Sequence, residues 1–299
     1  MYFKKHTIFL YLLVVATLVF CKKETKNQVE ETVTTGKLSV YVDETLLPIL
    51  EEQKQVFESQ YPYAKITVIS KPEIEISKAI VEGKADFVMM PRTLNENEQL
   101  VFKAKNIPGR VTPFATDAIA VLINKTTAIE SITTASLFKA IRGEETKEQL
   151  VFDNANSSTL NYLMEKAGVK KNTKTPIKAL KNTNEVIKFV SENKNAVGFV
   201  GVNWLTNTDA ETENLIKKCT VLAVGKDLKT AVKPTQTNIA LKSYPFTRKL
   251  FLLNYKGKTG LGMGFASFVA GNIGQRIVLK SGLLPHEIPT REIRIRKKI

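Results

Sequence analysis

The chain has 299 residues, 43% of them hydrophobic, with 44 basic against 29 acidic side chains and a formal net charge of +15 at pH 7. That length supports one large or two medium domains with real cores, and two cysteines, Cys21 and Cys219, exclude a small disulfide scaffold. Surplus positive charge attracts anions: small oxyanions, phospholipid head groups or nucleic acid. The one dense basic block is the tail Arg291 to Lys298, and no recognition motif accompanies it, which argues against nucleic acid as a partner.

Lys4 and Lys5 precede an apolar run from Thr7 to Phe20 that ends at Cys21. The run is about 14 residues, short of the ~20 that cross a bilayer, so 1–20 is expected to be a cleaved signal peptide rather than an uncleaved anchor. Its end, Leu18-Val19-Phe20-Cys21, resembles a lipobox, although Phe20 stands where a small residue is usual. That resemblance implies lipidation of Cys21 and a membrane tether. Without 1–20 the chain keeps a charge of +13, since only Lys4 and Lys5 are lost. Residues 22–36 are polar and lack apolar periodicity, so 21–36 reads as a lipidated cysteine and flexible tether of roughly 20 Å reach.

From Lys37 onward, short β-rich runs alternate with amphipathic stretches. Strands are expected at Leu38–Val42, Ile66–Ile69 and Asp86–Met90, separated by helices over Leu46–Tyr61 and Ile74–Glu82 and followed by a helix near Asn95–Lys105. A long apolar strand, Ala118–Asn124, opens a second series. It comprises helices at Thr134–Ile141, Ser157–Ala167 and Asn184–Glu192 and strands at Leu150–Phe152, Val197–Val202 and Val221–Val224. An extended segment, Arg248–Asn254, precedes a glycine-rich turn and a helical region over Phe265–Leu279. This order implies right-handed crossovers and mainly parallel sheets, and the two long extended segments suit two crossings between lobes.

Catalytic signatures are missing from the sequence. His6 lies in the leader and His286 stands alone, and there is no G-x-S-x-G elbow, H-E-x-x-H helix or phosphate-loop lysine. Cys219 begins an apolar strand and reads as a small core residue. No cofactor or metal is called for. Three strand-to-helix junctions are more informative. In Phe152-Asp153-Asn154-Ala155-Asn156-Ser157-Ser158-Thr159, Asn156 or Ser157 can cap the helix while amides and hydroxyls face outward, which suits an anion; plain capping uses the same residues. Asp43-Glu44-Thr45-Leu46 is a second such nest. Met90-Pro91-Arg92-Thr93 is the third, placing Arg92 past a strand's carboxyl end, where ligands of open α/β sheets bind, although a lone arginine there also suits a surface salt bridge.

Taken together, these segments resemble the phosphate-binding protein of bacterial phosphate ABC transporters, a type II periplasmic binding protein. The resemblance covers about Gly36 to Pro285. It is carried by the Thr45 junction, Ala85-Asp86-Phe87 leading to Arg92-Thr93-Leu94-Asn95, Ser157-Ser158-Thr159, Val197-Gly198-Phe199-Val200, and the closing Gly262 to Val269, Gly274-Gln275-Arg276 and Gly282-Leu283-Leu284-Pro285. It implies an α/β fold of two lobes, two mainly parallel sheets joined by hinge strands, with lobe I at 37–115 plus 250–299 and lobe II at 116–249. It also implies a non-enzymatic binding protein of the cell envelope, extracytoplasmic and lipid-anchored, that captures a small oxyanion, phosphate first, for an ABC permease. The matching ligand positions are Thr45, Leu46, Arg92, Thr93 and Ser157 to Thr159, with Asn156 beside them. Asp153 stands where the family carries an arginine, and Pro91 where it carries a proton-accepting aspartate, leaving Asp117 and Asp153 as candidate proton acceptors. Those departures keep open a binding-fold lipoprotein serving as sensor or interaction module. A phosphate-ester hydrolase ranks third, because it needs a metal cluster or nucleophile–base pair.

Overall fold

Leu38, Val40 and Val42 alternate with more exposed neighbours along β1 (Gly36–Asp43), and the alternation fails at its last residue, the buried Asp43. A polar group buried where a strand ends marks the start of the site. β1 lies between β2 (Ala64–Lys71) and β3 (Phe87–Met90), parallel to both. A short turn of helix at Glu44–Leu46 leads into α1 (Leu47–Gln60), which buries Ile49, Leu50 and Phe57. α2 (Glu73–Val81) and α3 (Glu96–Ala104) follow, and α3 opens on a capping box in which Asn95 and Glu98 satisfy each other's backbone amides. The structure, a computed structural model, describes residues 31–144, 148–169, 177–206, 208–257 and 259–290. The expected signal peptide, Cys21 and the basic tail lie outside these.

β4 (Arg110–Asn124) is 15 residues long, starting well ahead of the expected Ala118. Its upstream half escapes an apolar-run reading because it mixes exposed and buried positions. Residues 110–118 pair antiparallel with β11 (Thr247–Asn254), and 119–123 pair with β8 (Ala196–Gly201). One strand therefore leaves the first sheet and enters the second. Beyond β8 lie β6 (Gln149–Phe152) and β7 (Ile177–Ala179), parallel to one another and to β8. The expected strand Val221–Val224 divides: β9 (Cys219–Val221) adds to β4, while β10 (Ala223–Gly225) pairs with β5 (Ser131–Thr133) in a separate two-stranded sheet.

The path through the main sheet is β2-β1-β3-β11-β4-β8-β6-β7. Within each lobe the strands fed by crossover helices are parallel, and the strands that pass between lobes run antiparallel to them. α4 (Thr134–Arg142), α5 (Ser158–Lys166), α6 (Thr183–Glu192), α7 (Ala210–Ile216) and the short α8 (Gln236–Ala240) belong to the second half. The expected closing helix is two, α9 (Leu261–Ala270) and α10 (Asn272–Lys280), broken where Gly271 adopts an extended conformation. β12 (Leu284–Pro285) then pairs with β4 at Ala115 and Thr116. One buried apolar cluster runs from Leu38 in β1 through Ile119 and Val121 to Phe199 in β8 and Leu283, so the lobes share a core along β4. Among the described residues no helix is long and apolar enough to cross a membrane.

Candidate functional site

β11 carries the residue around which the site is organised. Arg248 takes the inward register shared with Leu250 and Leu252 and is 5% exposed. A buried guanidinium needs acceptors on every face. Its Nε donates to Asp117 Oδ2 at 3.0 Å, and Nη2 lies 2.9 Å from the same oxygen. Nη1 donates to Ser158 Oγ and Nη2 to Thr45 Oγ1, both at 2.9 Å. Asp117 sits on β4 just ahead of the point where the strand changes sheet, Thr45 follows β1, and Ser158 begins α5. One cation thus joins the crossing strands to the junctions of both lobes.

The two hydroxyls pass this arrangement on to Asp43. Thr45 Oγ1 donates to Asp43 Oδ1 at 2.5 Å, Ser158 Oγ donates to it at 3.0 Å, and the Thr45 amide adds a third bond at 3.0 Å. Asp43 Oδ2 and Thr159 Oγ1 are buried with no hydrogen-bond partner among the described residues. The Thr45 carbonyl accepts from Asn203 Nδ2 at 3.1 Å and from the Trp204 indole at 2.8 Å, so the segment after β8 grips the junction after β1. Asn154 Nδ2 reaches Glu44 Oε2 at 2.6 Å in a second bond between the same two junctions.

Burial sets the electrostatics. Desolvation raises Asp43 from the usual carboxylate range to about 7, against the pull of Arg248 and the Thr45 hydrogen bond. It also raises Asp117 despite the adjoining guanidinium, and Asp153 despite the Ser157 hydroxyl beside it. Three buried carboxylates share one guanidinium, so burial pushes all three toward the protonated form. A centre combining fixed N–H and O–H donors, one cation and protonated acids can enclose an oxyanion that carries hydrogen.

Of the residues expected from sequence, Thr45, Ser158, Asp117 and Asp153 meet here, and Thr159 lies beside them. Ser157 caps α5, its Oγ accepting the Leu160 amide at 3.1 Å, so its hydroxyl is already engaged; Asn156 is exposed and is not the cap. Leu46 is fully buried apolar packing. Arg92 belongs to another network. It binds Glu73 at 2.6 Å, Glu98 at 2.7 Å and Ser77 at 2.6 Å, the salt-bridge alternative that its position also allowed. Burial works against its charge, but the Glu98 and Glu73 hydrogen bonds more than offset this and hold it above its ordinary pKa. Arg92 and the exposed Thr93 line a cleft of about 580 Å³ together with Asn161 and Glu165 of α5, at a rim rather than at the buried centre. Another cavity, of about 490 Å³, is lined by Val33, Tyr61, Met263 and Phe268 among others and has no charged side chain to hold an anion. Cys219 is half-buried, with its thiol pushed up to about 11 by desolvation, as a core residue should be. Sequence reasoning missed Arg248 and the acceptor role of Asp43. The signal for the first was present: an arginine at an inward position of a strand whose other inward residues are leucines.

A model of the PBP superfamily domain, the superfamily of periplasmic binding proteins, matches residues 27–272. The chain belongs to this superfamily. As a PBP superfamily member it is similar to the phosphate-binding protein PstS of Pseudomonas aeruginosa, 24% identical over 84% of this chain and 83% of that protein. It is also similar to the protein SphX of Synechococcus elongatus, 24% identical over 77% of this chain and 72% of that one. Its two-lobed fold matches a structure from Clostridium perfringens assigned as a phosphate ABC transporter substrate-binding protein with bound phosphate, at a TM-score of 0.72 and 19% identity over 84% of this chain and 100% of the other. An ABC-type phosphate transport receptor from Vibrio cholerae superimposes at 0.63, again with 19% identity and coverages of 84% and 100%. Within this fold the Gly274-Gln275 pair is structural. Gln275 is buried and its Nε2 donates to Phe114 O and Val269 O, while Gln53 reaches Gly274 O at 2.8 Å.

Proposed function

We propose that this protein captures a small oxyanion, phosphate first, at the junction of Thr45, Ser158, Thr159 and Arg248, and delivers it to an ABC permease from a lipid anchor at Cys21. The observation that carries the proposal is Arg248: a buried guanidinium whose nitrogens reach hydroxyls at the helix-start junctions of both lobes. It supplies from β11 the strong cation that the Ser157-Ser158-Thr159 segment lacks locally. The names and bound phosphate of the relatives support the ligand, and their roles as binding proteins support a non-enzymatic part in the cell envelope. Thr45 and Arg248 would share the anion's oxygens with Ser158 and Thr159, replacing its water with donors already fixed in place.

The crowding of Asp43, Asp117 and Asp153 around a single cation favours a second reading, a binding-fold lipoprotein that senses a proton-bearing ligand without transport. Calorimetric titration with phosphate, sulfate and a few organic phosphates tests the oxyanion reading common to both. Phosphate should bind, and Arg248→Met should lose at least tenfold in affinity, since hydrogen bonds to charged groups contribute about 1.5–3 kcal/mol each. No heat with any of these anions would remove both readings. Permease and ATPase genes adjoining this one would favour transport.

A further inference from the structure

Asp43 already occupies the place in this site that chemistry assigns to an external oxyanion. Its Oδ1 receives the Thr45 amide, the Thr45 hydroxyl and the Ser158 hydroxyl, three donors from two junctions converging on one carboxylate oxygen. Both hydroxyls in turn accept from Arg248, which polarises them toward that oxygen. Its other oxygen, Oδ2, is buried without a partner among the described residues, and the residue is 1% exposed.

We propose that Asp43 is an internal oxyanion, and that an external anion takes over its donors only when Asp43 binds a proton. This rests on the oxyanion reading above and deepens it. The step balances simply. The anion accepts the Thr45 and Ser158 hydrogen bonds, a proton from solvent neutralises the released carboxylate, and the new Asp43 O–H can donate to the anion. Without that proton, two anions would share one desolvated nest. The charged groups acting on Asp43 are Arg248 on β11, Glu73 at the start of α2 and Asp153 at the end of β6. Glu44 lies next in the chain, and Asp117 on β4 acts through Arg248. The acids among them oppose ionisation and one cation favours it, and Asp43 lies at about 7 as a result of burial before any of these. Protons therefore become costly to supply just above neutrality. One proton taken up per anion makes affinity fall about tenfold per pH unit there.

The test is phosphate titration at pH 8 in two buffers of different ionisation enthalpy, which counts protons taken up, on the parent and on Asp43→Asn. The titration of phosphate itself contributes equally to both, so the parent should take up about one proton more per anion. In the parent, infrared difference spectra should show a gain of carboxylic-acid C=O absorption when phosphate is added, a readout that stands even if the variant does not fold. Equal proton counts in the two proteins, or phosphate binding with no gain of protonated carboxyl, would overturn this inference while leaving the oxyanion reading intact. Failure of phosphate to bind either protein at any pH from 5.5 to 8.5 would instead remove the reading on which it rests.

Discussion

Thr159 shows how one hydroxyl separates function from stability. Buried at 1% exposure with Oγ1 unpartnered among the described residues, its hydroxyl costs folding energy in the unliganded protein. Thr159→Val should therefore be at least as stable in urea denaturation, while phosphate affinity drops roughly tenfold or more through loss of a bond to a charged ligand. Reduced stability together with unchanged affinity would make Thr159 a packing residue. Thr45 and Ser158 could be picked from the sequence because small polar residues at strand-to-helix junctions are conspicuous against apolar runs, and Asp117 and Asp153 came in as candidates to replace the family's missing proton acceptor. Arg248 shows itself only as a basic residue at an inward position of a leucine strand, and its partners stay hidden because it lies 90 residues from Ser158 and 203 from Thr45 in a chain with 44 basic side chains. Arg92 invited the opposite error. Its partners Glu73 and Glu98 are 19 and 6 residues away, and nothing in the strand-end reading of Arg92 singled them out.

At the scale of elements, the strands and helices followed from alternation and helical spacing wherever one face is buried. The pattern failed where an element changes its surroundings. The upstream half of β4 passes from exposed Arg110 and Val111 through half-buried residues before its downstream half is buried throughout, so only the second half reads as an apolar run. The closing helices read as one because their apolar spacing continues through Gly271. Their junction is tight: a Cβ on Gly274 would lie 2.4 Å from both Phe268 O and Val269 O. Gly274→Ala should thus destabilise the protein by about 1–3 kcal/mol, the usual cost of overpacking, with the Gln53 bond to Gly274 strained as α10 shifts. Urea denaturation checks this, and a variant as stable as the parent would show that the α9–α10 junction yields freely.

For the whole molecule, we propose lobe boundaries at 37–115 plus 250–299 and 116–249. The support is that β4 passes from β11 to β8 between Ala118 and Ile119, although β11 joins the first sheet already at Thr247. The buried acids sit at this seam and give the molecule a characteristic pH dependence. The folded pKa of Asp43, about 7, lies above its unfolded value of 3.8, and Asp117, Asp153 and Glu44 are shifted in the same direction. The stability that Asp43 contributes is fully present below 3.8 and is lost as pH rises through about 7, by at most about 1.4 kcal/mol per pH unit, and the other three act in the same direction. Glu98 is shifted the other way: burial raises its pKa, but Arg92 more than compensates, so its contribution is lost only below the ordinary glutamate range and outside this window. The unliganded protein should accordingly unfold at higher urea at pH 5 than at pH 8, with a smaller difference in Asp43→Asn; a parent more stable at pH 8 would contradict the raised acids. The central claim is that one oxyanion is held where the two lobes meet on Arg248. A crystal structure grown with phosphate at pH 6 tests it most directly. The account predicts phosphate oxygens within hydrogen-bonding distance of Arg248, Ser158 and Thr45, with Asp43 no longer accepting from both hydroxyls. Phosphate bound instead at Arg92, or no phosphate at the Arg248 junction at millimolar concentration, would contradict it.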